Sequence, residues 1–221
     1  MGIIVQARMG STRLPGKVLK TVLGKSLLRF LLERLQRVKL ADHIVVATTE
    51  GLADVAILKE CESLGINTFQ GSERDVLSRY FKTAKLYSFD PIIRITADCP
   101  LMDPEIVDLA IRTFRERGGA DYVSNCHPRS YPKGMDVEIF TYASLVLAND
   151  HAKELYEREH VTPFIHKHSL KKNFEYKRDV SALNLSVDTQ EDFDRVREII
   201  EALYPSNPDF SLEDILAFMQ K

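Results

Sequence analysis

Residues 2–19, with the sequence GIIVQARMGSTRLPGKVL, set the expectation for the fold. This stretch joins a short apolar run with β-branched members, residues 2–7, to a loop rich in Gly, Ser and Pro over residues 8–17. A helix is predicted next over residues 26–38, where leucine and valine recur with helical spacing, and a buried strand follows over residues 43–48. A strand, a helix and a second strand in this order predict a parallel β–α–β unit.

The same alternation of strand and helix continues along the first half of the chain. We predict further helices over 53–64, 75–87 and 103–117 and further strands over 66–69, 91–96 and 121–125. The fold class is therefore α/β, with a mostly parallel sheet covered by helices on both faces. Because ligands bind at the carboxyl ends of the strands in such sheets, the loops after Ala7, Thr48, Phe69 and Thr96 are the candidate sites.

The second half of the chain has a less regular pattern. After a turn-rich insertion at 127–134, the predicted elements are a strand over 135–140, helical structure over 150–169, an edge strand over 171–178, a short strand over 185–187 and two capped helices beginning at Thr189 and Ser211. The sequence contains no internal repeat or flexible linker. We therefore predict one domain over residues 1–221, with a protruding segment around residues 126–180.

Composition limits the classes of function. The chain has 221 residues, of which 44% are hydrophobic and 28% charged, and its formal net charge is −2; these values are typical of a globular protein and disfavour a nucleic-acid or membrane-surface binder. Residues 1–40 nevertheless carry nine cations and one anion, so this segment is +8 and the remainder −10. We infer an anionic ligand close to the first segment. Three cysteines without a C-x-x-C pair, and the lack of a long apolar run, predict a cytoplasmic protein with reduced thiols and no membrane span.

The loop that follows the first strand has the composition of an anion-binding loop. Two glycines permit a close backbone approach, two hydroxyl residues add donors, and three cations lie within ten residues, a set that suits a triphosphate. The alternative is a solvated basic loop. The residues assigned to the nucleotide here are Ala7, Arg8, Gly10, Ser11, Thr12, Arg13 and Lys17, of which Arg8, Arg13 and Lys17 are also assigned to catalysis.

Two carboxylates are predicted to lie at the same edge of the sheet. Asp98 follows the fourth strand, and Pro100 is expected to keep the chain extended beyond it. Asp188 follows the predicted strand 185–187 and precedes a helix capped by Thr189, so its alternative role is that of a helix-cap residue. Two carboxylates at one edge are suited to share a Mg²⁺ ion that also binds nucleotide phosphates. We therefore assign Mg²⁺ to Asp98 and Asp188, with Asp98 also assigned to catalysis.

The motif of residues 6–19, QARMGSTRLPGKVL, resembles the opening motif of the cytidylyltransferases that make CMP-activated sugar acids, the acylneuraminate and CMP-KDO synthetase group. It is most similar to the branch named for the spore coat polysaccharide biosynthesis protein SpsF. Further similar motifs, in order along nearly the whole chain, are Gly71–Leu77, Thr96–Leu101, Gly134–Glu138, Arg158–Thr162 and Val187–Thr189. The resemblance implies a Rossmann-like nucleotidyltransferase fold and the transfer of CMP from CTP to a sugar acid, with release of pyrophosphate, for surface polysaccharide synthesis.

The same resemblance implies roles for residues whose own pattern is ambiguous. It places Asp136 and Glu138 at the acceptor sugar, although two acidic residues on one strand face are explained equally well by solvent exposure. Gly71 and Arg74 would contact the nucleotide, and His160 would contact the acceptor. The alternatives are an ordinary loop arginine and a structural histidine. A homodimer is also in keeping with the related synthetases.

Two other functions stay open on the sequence alone. Asp136 and Glu138 also resemble the D-x-D metal motif of a glycosyltransferase that uses a nucleotide-sugar, and a non-catalytic module that senses nucleotides would use the same loop. Several charged side chains are predicted to face solvent and to take no part in the site: Arg29, Arg34, Arg37 and Lys39 on the first helix, Arg79 on the third, and Asp192 and Asp194.

Overall fold

A computed structural model describes residues 1–116 and 119–220, which contain nine β-strands and nine α-helices. The strands are β1 (Gly2–Gln6), β2 (Thr21–Val22), β3 (Lys25–Ser26), β4 (His43–Thr49), β5 (Asn67–Gly71), β6 (Ile92–Thr96), β7 (Tyr122–Ser124), β8 (Glu138–Phe140) and β9 (Lys171–Asn173). The helices are α1 (Leu27–Leu35), α2 (Val55–Ser63), α3 (Val76–Leu86), α4 (Pro104–Arg115), α5 (Tyr142–His151), α6 (Leu155–His160), α7 (Thr162–His168), α8 (Gln190–Leu203) and α9 (Leu212–Met219). None of the helices in this described part of the chain has the length and apolar character needed to cross a membrane.

The main sheet has seven strands in the order β5-β4-β1-β6-β8-β7-β9. The first four of these are parallel, β8 runs antiparallel to both of its neighbours, and β9 is parallel to β7. The predicted α/β class with a mostly parallel sheet is confirmed. The chain builds outward from β1 through β4 to β5 and then returns to the other side of β1 with β6. The loops that leave β1 and β6 therefore diverge, and in sheets of this type ligands bind in the crevice between such loops.

Helices cover both faces of the sheet, as the sequence predicts. Successive side chains of a strand point to opposite faces, so Ile3 and Ile4 belong to different cores. Ile3 packs in the larger core with buried residues of α1, α2, α4, α8 and α9, and Ile4 packs in the second core with residues of α3, α5 and α7. Removing these aliphatic side chains from water, at about 25 cal/mol per Å² of apolar area, stabilises the arrangement.

The segment 126–180, which the sequence analysis expects to protrude, supplies two strands and three helices to the fold. Its strand β8 lies inside the sheet, between β6 and β7, and β9 forms one edge. Phe140, Leu145, Ala148 and Ile165 are fully or almost fully buried in the second core. The turn-rich residues at the start of the segment suggest an insertion, but the apolar residues after them have the spacing of elements that pack on the sheet.

Two predicted strands differ from the observed ones around the site. The strand predicted over 135–140 is regular only from Glu138 onward. Residues 185–187 form no strand; instead, the Leu185 N–H donates to the Lys133 carbonyl oxygen at 2.7 Å and the Val187 N–H donates to the Asp98 carbonyl oxygen at 2.8 Å. These single bonds still bring the predicted metal ligands to one edge.

Two further boundaries also differ. Asp98 lies in a tight turn, because the Cys99 N–H donates to the Thr96 carbonyl oxygen at 3.2 Å, and the chain is not extended there as predicted. Helix α4 ends at Arg115. Its predicted end at Arg117 lies outside the described residues.

Three charged side chains predicted to face solvent are buried instead. Arg34 donates to the carbonyl oxygens of Met102 at 2.8 Å and Phe210 at 2.9 Å, which ties α1 to the C-terminal part of the chain. Arg79 donates to the Ser72 carbonyl oxygen at 2.9 Å. Asp192 takes part in the capping of α8. Helical periodicity alone misses these positions because each of these side chains bonds to groups outside its own helical face or at a helix end.

Candidate active site

The loop after β1 is held in a closed conformation by its own backbone. The Gly16 N–H donates to the Met9 carbonyl oxygen at 3.0 Å, and Gly16 has φ of 68°, a left-handed value that glycine adopts without a Cβ penalty. Within the described residues, the N–H groups of Gly10, Ser11 and Thr12 donate to no protein atom. The loop therefore presents backbone donors and a glycine-rich surface at the crevice between β1 and β6.

Asp54 anchors this loop from beneath, and the sequence analysis misses it. The Met9 N–H donates to Asp54 Oδ1 at 2.7 Å, while Oδ2 accepts from the Thr49 N–H at 3.1 Å and from the hydroxyls of Thr48 at 2.9 Å and Thr49 at 2.6 Å. Burial favours the neutral form, but these hydrogen bonds outweigh it and hold the pKa of Asp54 below its usual value. Asp54 thus joins the loop after β1 to the end of β4. We call this loop, residues 8–17, the phosphate loop after its predicted ligand.

Lys17 lies at the centre of the candidate site. Its Nζ is 2.7 Å from the Val187 carbonyl oxygen, 2.9 Å from Asp188 Oδ1 and 3.3 Å from Asp98 Oδ2. These three oxygens come from the turn after β6 and from the segment before α8. The structure therefore brings together the predicted loop lysine and both predicted metal ligands.

Asp188 is surrounded by cations. Besides Lys17, Arg13 Nη2 lies 3.1 Å from its Oδ1 and Lys133 Nζ lies 2.9 Å from its Oδ2. Partial burial favours the neutral form, yet the hydrogen bonds and charges of Lys17 and Lys133 hold the pKa of Asp188 well below its usual range. Lys133 is thus a residue of this cluster that the sequence analysis does not assign to the site.

The backbone at Asp188 is fixed by the first turn of α8. The N–H groups of Asp188 and Thr189 donate to Asp192 Oδ2 at 3.1 and 2.9 Å, and the Thr189 hydroxyl accepts from the Asp192 N–H at 3.2 Å. Thr189 is therefore the N-cap of a capping box. Asp188 precedes the cap and leaves its carboxylate free for the site, so the alternative of a helix-cap role for Asp188 is wrong.

The predicted nucleotide residues belong to the loops after β1 and β5, and two of them, Arg13 and Lys17, reach across to Asp188. Arg8 Nη1 is 3.8 Å from Glu73 Oε1, and a Cβ on Gly10 would lie 3.1 Å from the same oxygen, so the loops after β1 and β5 approach closely. Arg74 is exposed next to Glu73. At Gly71, a Cβ would lie 3.1 Å from the Phe69 ring, which explains a glycine there by packing. Ser11 accepts weakly within the loop and Thr12 is exposed.

The other side of the crevice is formed by residues 126–136. Arg129 and Asp136 make a two-pronged ion pair, with Nη2 to Oδ2 at 2.8 Å, and each side chain is 29% exposed. Burial raises the pKa of the Cys99 thiol, and the negative charges of Asp98 and Asp136 raise it further. Cys99 is thus a buried thiol that is difficult to ionise.

The segment of residues 126–136 packs closely against residues 185–186, just before Asp188, at one glycine. Gly134 has φ of 99°, and a Cβ there would lie 2.6 Å from the Leu185 carbonyl carbon and the Ser186 nitrogen. No side chain fits that contact, since the clash is with backbone. Gly134 therefore lets Lys133 reach Asp188.

Glu138 does not face the acceptor side together with Asp136. Its side chain is buried, it pairs with Arg94, and it accepts a hydrogen bond from the Tyr122 hydroxyl at 2.5 Å. Burial favours its neutral form, but Arg94 and Tyr122 hold the pKa of Glu138 below its usual value. The two residues diverge because β8 becomes regular only at Glu138. The contacts of Glu138 therefore support neither a role at the acceptor sugar nor a solvent-exposed position.

His160 is also separate from the cluster around Lys17. It is exposed on α6, where its ring centroid lies 4.5 Å from that of Tyr156. In the same motif, Arg158 donates to Asp75 at 2.7 Å, and Asp75 is the N-cap of α3. This part of the motif thus ties α6 to α3.

The oxygens around Lys17 fit a divalent cation that also binds phosphates. In residues 1–116 and 119–220, no group of three or more His, Cys, Asp or Glu side chains could hold a metal by protein ligands alone. Mg²⁺ commonly binds one or two carboxylates and takes its other ligands from substrate phosphates and water. Asp98 and Asp188, already arranged around the Lys17 ammonium, meet that requirement.

Comparison with known proteins identifies similar sequences and similar folds. The sequence pattern of the family described as cytidylyltransferase matches residues 2–221. The spore coat polysaccharide biosynthesis protein SpsF of Bacillus subtilis is 32% identical over 231 residues, covering 99% of this chain and 93% of that protein. The structure of a cytidylyltransferase from Leptospira borgpetersenii serovar Hardjo-bovis is 36% identical, with a TM-score of 0.94 and coverage of 99% of this chain and 93% of that one. A CMP:2-keto-3-deoxy-manno-octonic acid synthetase in complex with CTP has the same fold, with a TM-score of 0.70, 18% identity and coverage of 90% and 98%.

Proposed function

Because this chain belongs to the cytidylyltransferase family, we propose that it transfers CMP from CTP to a hydroxyl group of a sugar acid and releases pyrophosphate. Similarity to a spore coat polysaccharide biosynthesis protein supports a role in making a surface polysaccharide. The motif resemblance of Thr96–Leu101 and Gly134–Glu138 supports a sugar acid as the acceptor. The observation that carries the proposal is the contact of Lys17 with Asp98 and Asp188 directly beside the phosphate loop.

The order of the strands suggests where each substrate lies. The loops after β5, β4 and β1 form one half of the carboxyl edge, and those beside β6, β8 and β7 form the other. We assign the nucleoside to the first half, the triphosphate to the loop after β1, and the acceptor to the wall of residues 126–136. The α-phosphate then lies at the boundary, beside Asp98, where both substrates meet.

In this arrangement the acceptor oxygen attacks the α-phosphorus in line with the departing pyrophosphate. A new P–O bond to the acceptor forms, the bond between the α-phosphorus and the bridging oxygen breaks, and the acceptor hydroxyl loses its proton to solvent water. Arg8, Arg13 and Lys17 neutralise negative charge on the phosphates, which is the main requirement of phosphoryl-group transfer. Mg²⁺ bound to Asp98 and Asp188 would supply further charge neutralisation and lower the pKa of the acceptor hydroxyl.

Arg129 and Asp136 are the side chains best placed to meet the acceptor. An arginine fork binds a carboxylate with two parallel hydrogen bonds, as Arg129 already does with Asp136. The same fork suits the carboxylate of a sugar acid. Against a glycosyltransferase metal site at Asp136 and Glu138 stands the burial of Glu138, whose carboxylate is enclosed with Arg94 and Tyr122, whereas Asp136 is 29% exposed.

The test is a pyrophosphate-release assay with four nucleoside triphosphates against a panel of sugar acids. We expect activity with CTP and Mg²⁺, and loss of pyrophosphate release in Lys17→Ala and Asp98→Ala while circular dichroism stays unchanged. Lys25→Ala is the matched control, because Lys25 pairs with Glu33 and Tyr204 away from the crevice. Near-normal turnover in either site variant would contradict the proposal. Release of a nucleoside diphosphate from a nucleotide-sugar would favour a glycosyltransferase, and nucleotide binding without turnover a sensing module.

A further inference from the structure

Lys17 has an environment that is characteristic of a bound cation. Its ammonium nitrogen contacts two carboxylate oxygens and one carbonyl oxygen, all within 3.3 Å, and its side chain is only 13% exposed. The Val187 carbonyl is the shortest of these contacts at 2.7 Å. A compact point charge among oxygens of this kind occupies the same space, and uses the same ligands, as a small metal ion would.

We propose that the Lys17 ammonium group occupies the divalent-cation position in the nucleotide-free enzyme, so that a metal ion binds only when nucleotide phosphates draw Lys17 out of it. This inference rests on the proposed function, because it takes the nucleotide triphosphate as the ligand of the loop. It assigns Lys17 two alternating partners. These are the carboxylates of Asp98 and Asp188 in the free enzyme and the phosphates in the complex.

The position of Lys17 in the chain allows such an exchange. Lys17 directly follows Gly16, whose left-handed backbone ends the phosphate loop, and it begins a short 3₁₀ turn over Lys17–Leu19. Rotation about the four-carbon side chain moves the ammonium group without moving the turn. Because an ammonium group and a dication on the same oxygens repel each other, occupation by one excludes the other. A triphosphate offers Lys17 new anionic partners and offers the metal the additional oxygens it requires.

Lys133 supplies a control for the general effect of positive charge. It also pairs with Asp188, at 2.9 Å, but it binds the other oxygen, Oδ2, and its side chain is 50% exposed. No contact joins Lys133 to Asp98 among the described ion pairs. Removing Lys133 therefore removes a positive charge beside Asp188 without vacating the space between the two carboxylates.

The test measures Mn²⁺ binding by electron paramagnetic resonance, with no nucleotide and no turnover. We expect Lys17→Met and Lys17→Gln to bind Mn²⁺ more tightly than the wild type by about 5- to 150-fold, the range of ordinary coupling between sites. Lys133→Met should gain clearly less. In the wild type, inorganic tripolyphosphate should raise Mn²⁺ affinity beyond the sum of separate binding, and this coupling should shrink in the Lys17 variants.

Two results would overturn the inference. One is a failure of the Lys17 variants to stand out: their Mn²⁺ affinity equals that of the wild type, or Lys133→Met gains as much Mn²⁺ affinity as they do. Either outcome means that Lys17 does not block the position. The other is wild-type protein that binds Mn²⁺ alone as tightly as with tripolyphosphate, a result that needs no variant to fold. Because none of these readouts uses turnover, a protein that shows the coupling but no CMP transfer would refute the proposed function and leave this inference standing.

Discussion

Replacing Asp54 by asparagine should loosen the phosphate loop and weaken CTP binding. The Asp54 carboxylate is 2% exposed and accepts four hydrogen bonds, two of them from the backbone N–H groups of Met9 and Thr49. An asparagine has one carbonyl oxygen and one NH₂ group. Whichever way the amide is turned, one of the two backbone N–H groups faces another donor. The threonine hydroxyls can rotate to compensate, but the backbone groups cannot.

The structure sets the size of the effect. Leaving one buried donor without a partner costs about 1–3 kcal/mol, and we expect the free energy of unfolding of Asp54→Asn to fall by that amount. If about 1.4 kcal/mol of this cost is borne by the Met9 contact in the bound conformation of the loop, KM for CTP rises about tenfold. Urea denaturation and initial-rate kinetics measure the two quantities.

Asp108 provides a matched control at the opposite edge of the sheet. It is 1% exposed and accepts from the backbone N–H groups of Lys39 and Leu40, at 3.0 Å for the shortest contact. Both N–H groups bond to Oδ1, so the single carbonyl oxygen of an asparagine can still accept from both. Asp108→Asn should therefore lower stability by less than Asp54→Asn and leave KM for CTP unchanged. An unchanged KM in Asp54→Asn, or an equal rise in Asp108→Asn, would refute the positioning role of Asp54.

The pH dependence of stability gives an independent check on Asp54. Its pKa is lower in the folded protein than in the unfolded chain, where an aspartate titrates near about 3.9. The stability that its ionised form contributes is therefore fully present above that pH and is lost as the pH falls through the folded pKa. The difference in unfolding free energy between wild type and Asp54→Asn should be constant from neutral pH to about 4 and shrink below it.

Three further outcomes are expected. Glu138→Gln should lower the free energy of unfolding, measured by urea denaturation, by about 3–5 kcal/mol, because Arg94 stays buried without its counter-ion. A loss below about 1 kcal/mol would mean that the Arg94–Glu138 pair behaves as a solvent-exposed ion pair. Arg129→Lys should raise KM for the acceptor and leave KM for CTP unchanged, because lysine cannot bind a carboxylate with a planar fork; an equal rise in both constants would contradict the acceptor role of the Arg129–Asp136 pair. The pKa of Asp188 lies well below its usual range, so the stability that its ionised form contributes should persist from pH 7 to about pH 4 and decline only in stronger acid. Urea denaturation of the wild type and of Asp188→Asn over this pH range measures that contribution. A decline that begins above about pH 4 would contradict the prediction.

The sequence predicts the parts of the site that depend on local pattern. The apolar run before the loop, the glycines and cations of residues 8–17 and the carboxylates after later strands are all readable without tertiary information. The rule that ligands bind at the carboxyl ends of strands then predicts that Lys17, Asp98 and Asp188 lie at one edge, and the structure places them in direct contact.

The residues that sequence analysis misses depend on contacts between distant segments. Asp54 follows β4 like any helix-start residue, and only the folded loop brings the Met9 N–H to it. The pairing of Arg94 with Glu138 requires β8 to lie beside β6, an arrangement that no short-range pattern indicates. Arg34 has the spacing of an exposed helix residue, yet its guanidinium group reaches carbonyl oxygens of two other segments.

The backbone contact at Gly134 limits how the segment of residues 126–136 can be altered. The proposed function takes the nucleotide contacts largely from the first hundred residues and the acceptor contacts from residues 126–136. At position 134 a Cβ would clash with the backbone of Leu185 and Ser186. A side chain at position 134 would therefore also displace the neighbouring Lys133, which pairs with Asp188. Under the proposed function, a chimera that takes residues 126–133 from a relative and retains Gly134 should change acceptor specificity and leave CTP recognition in place.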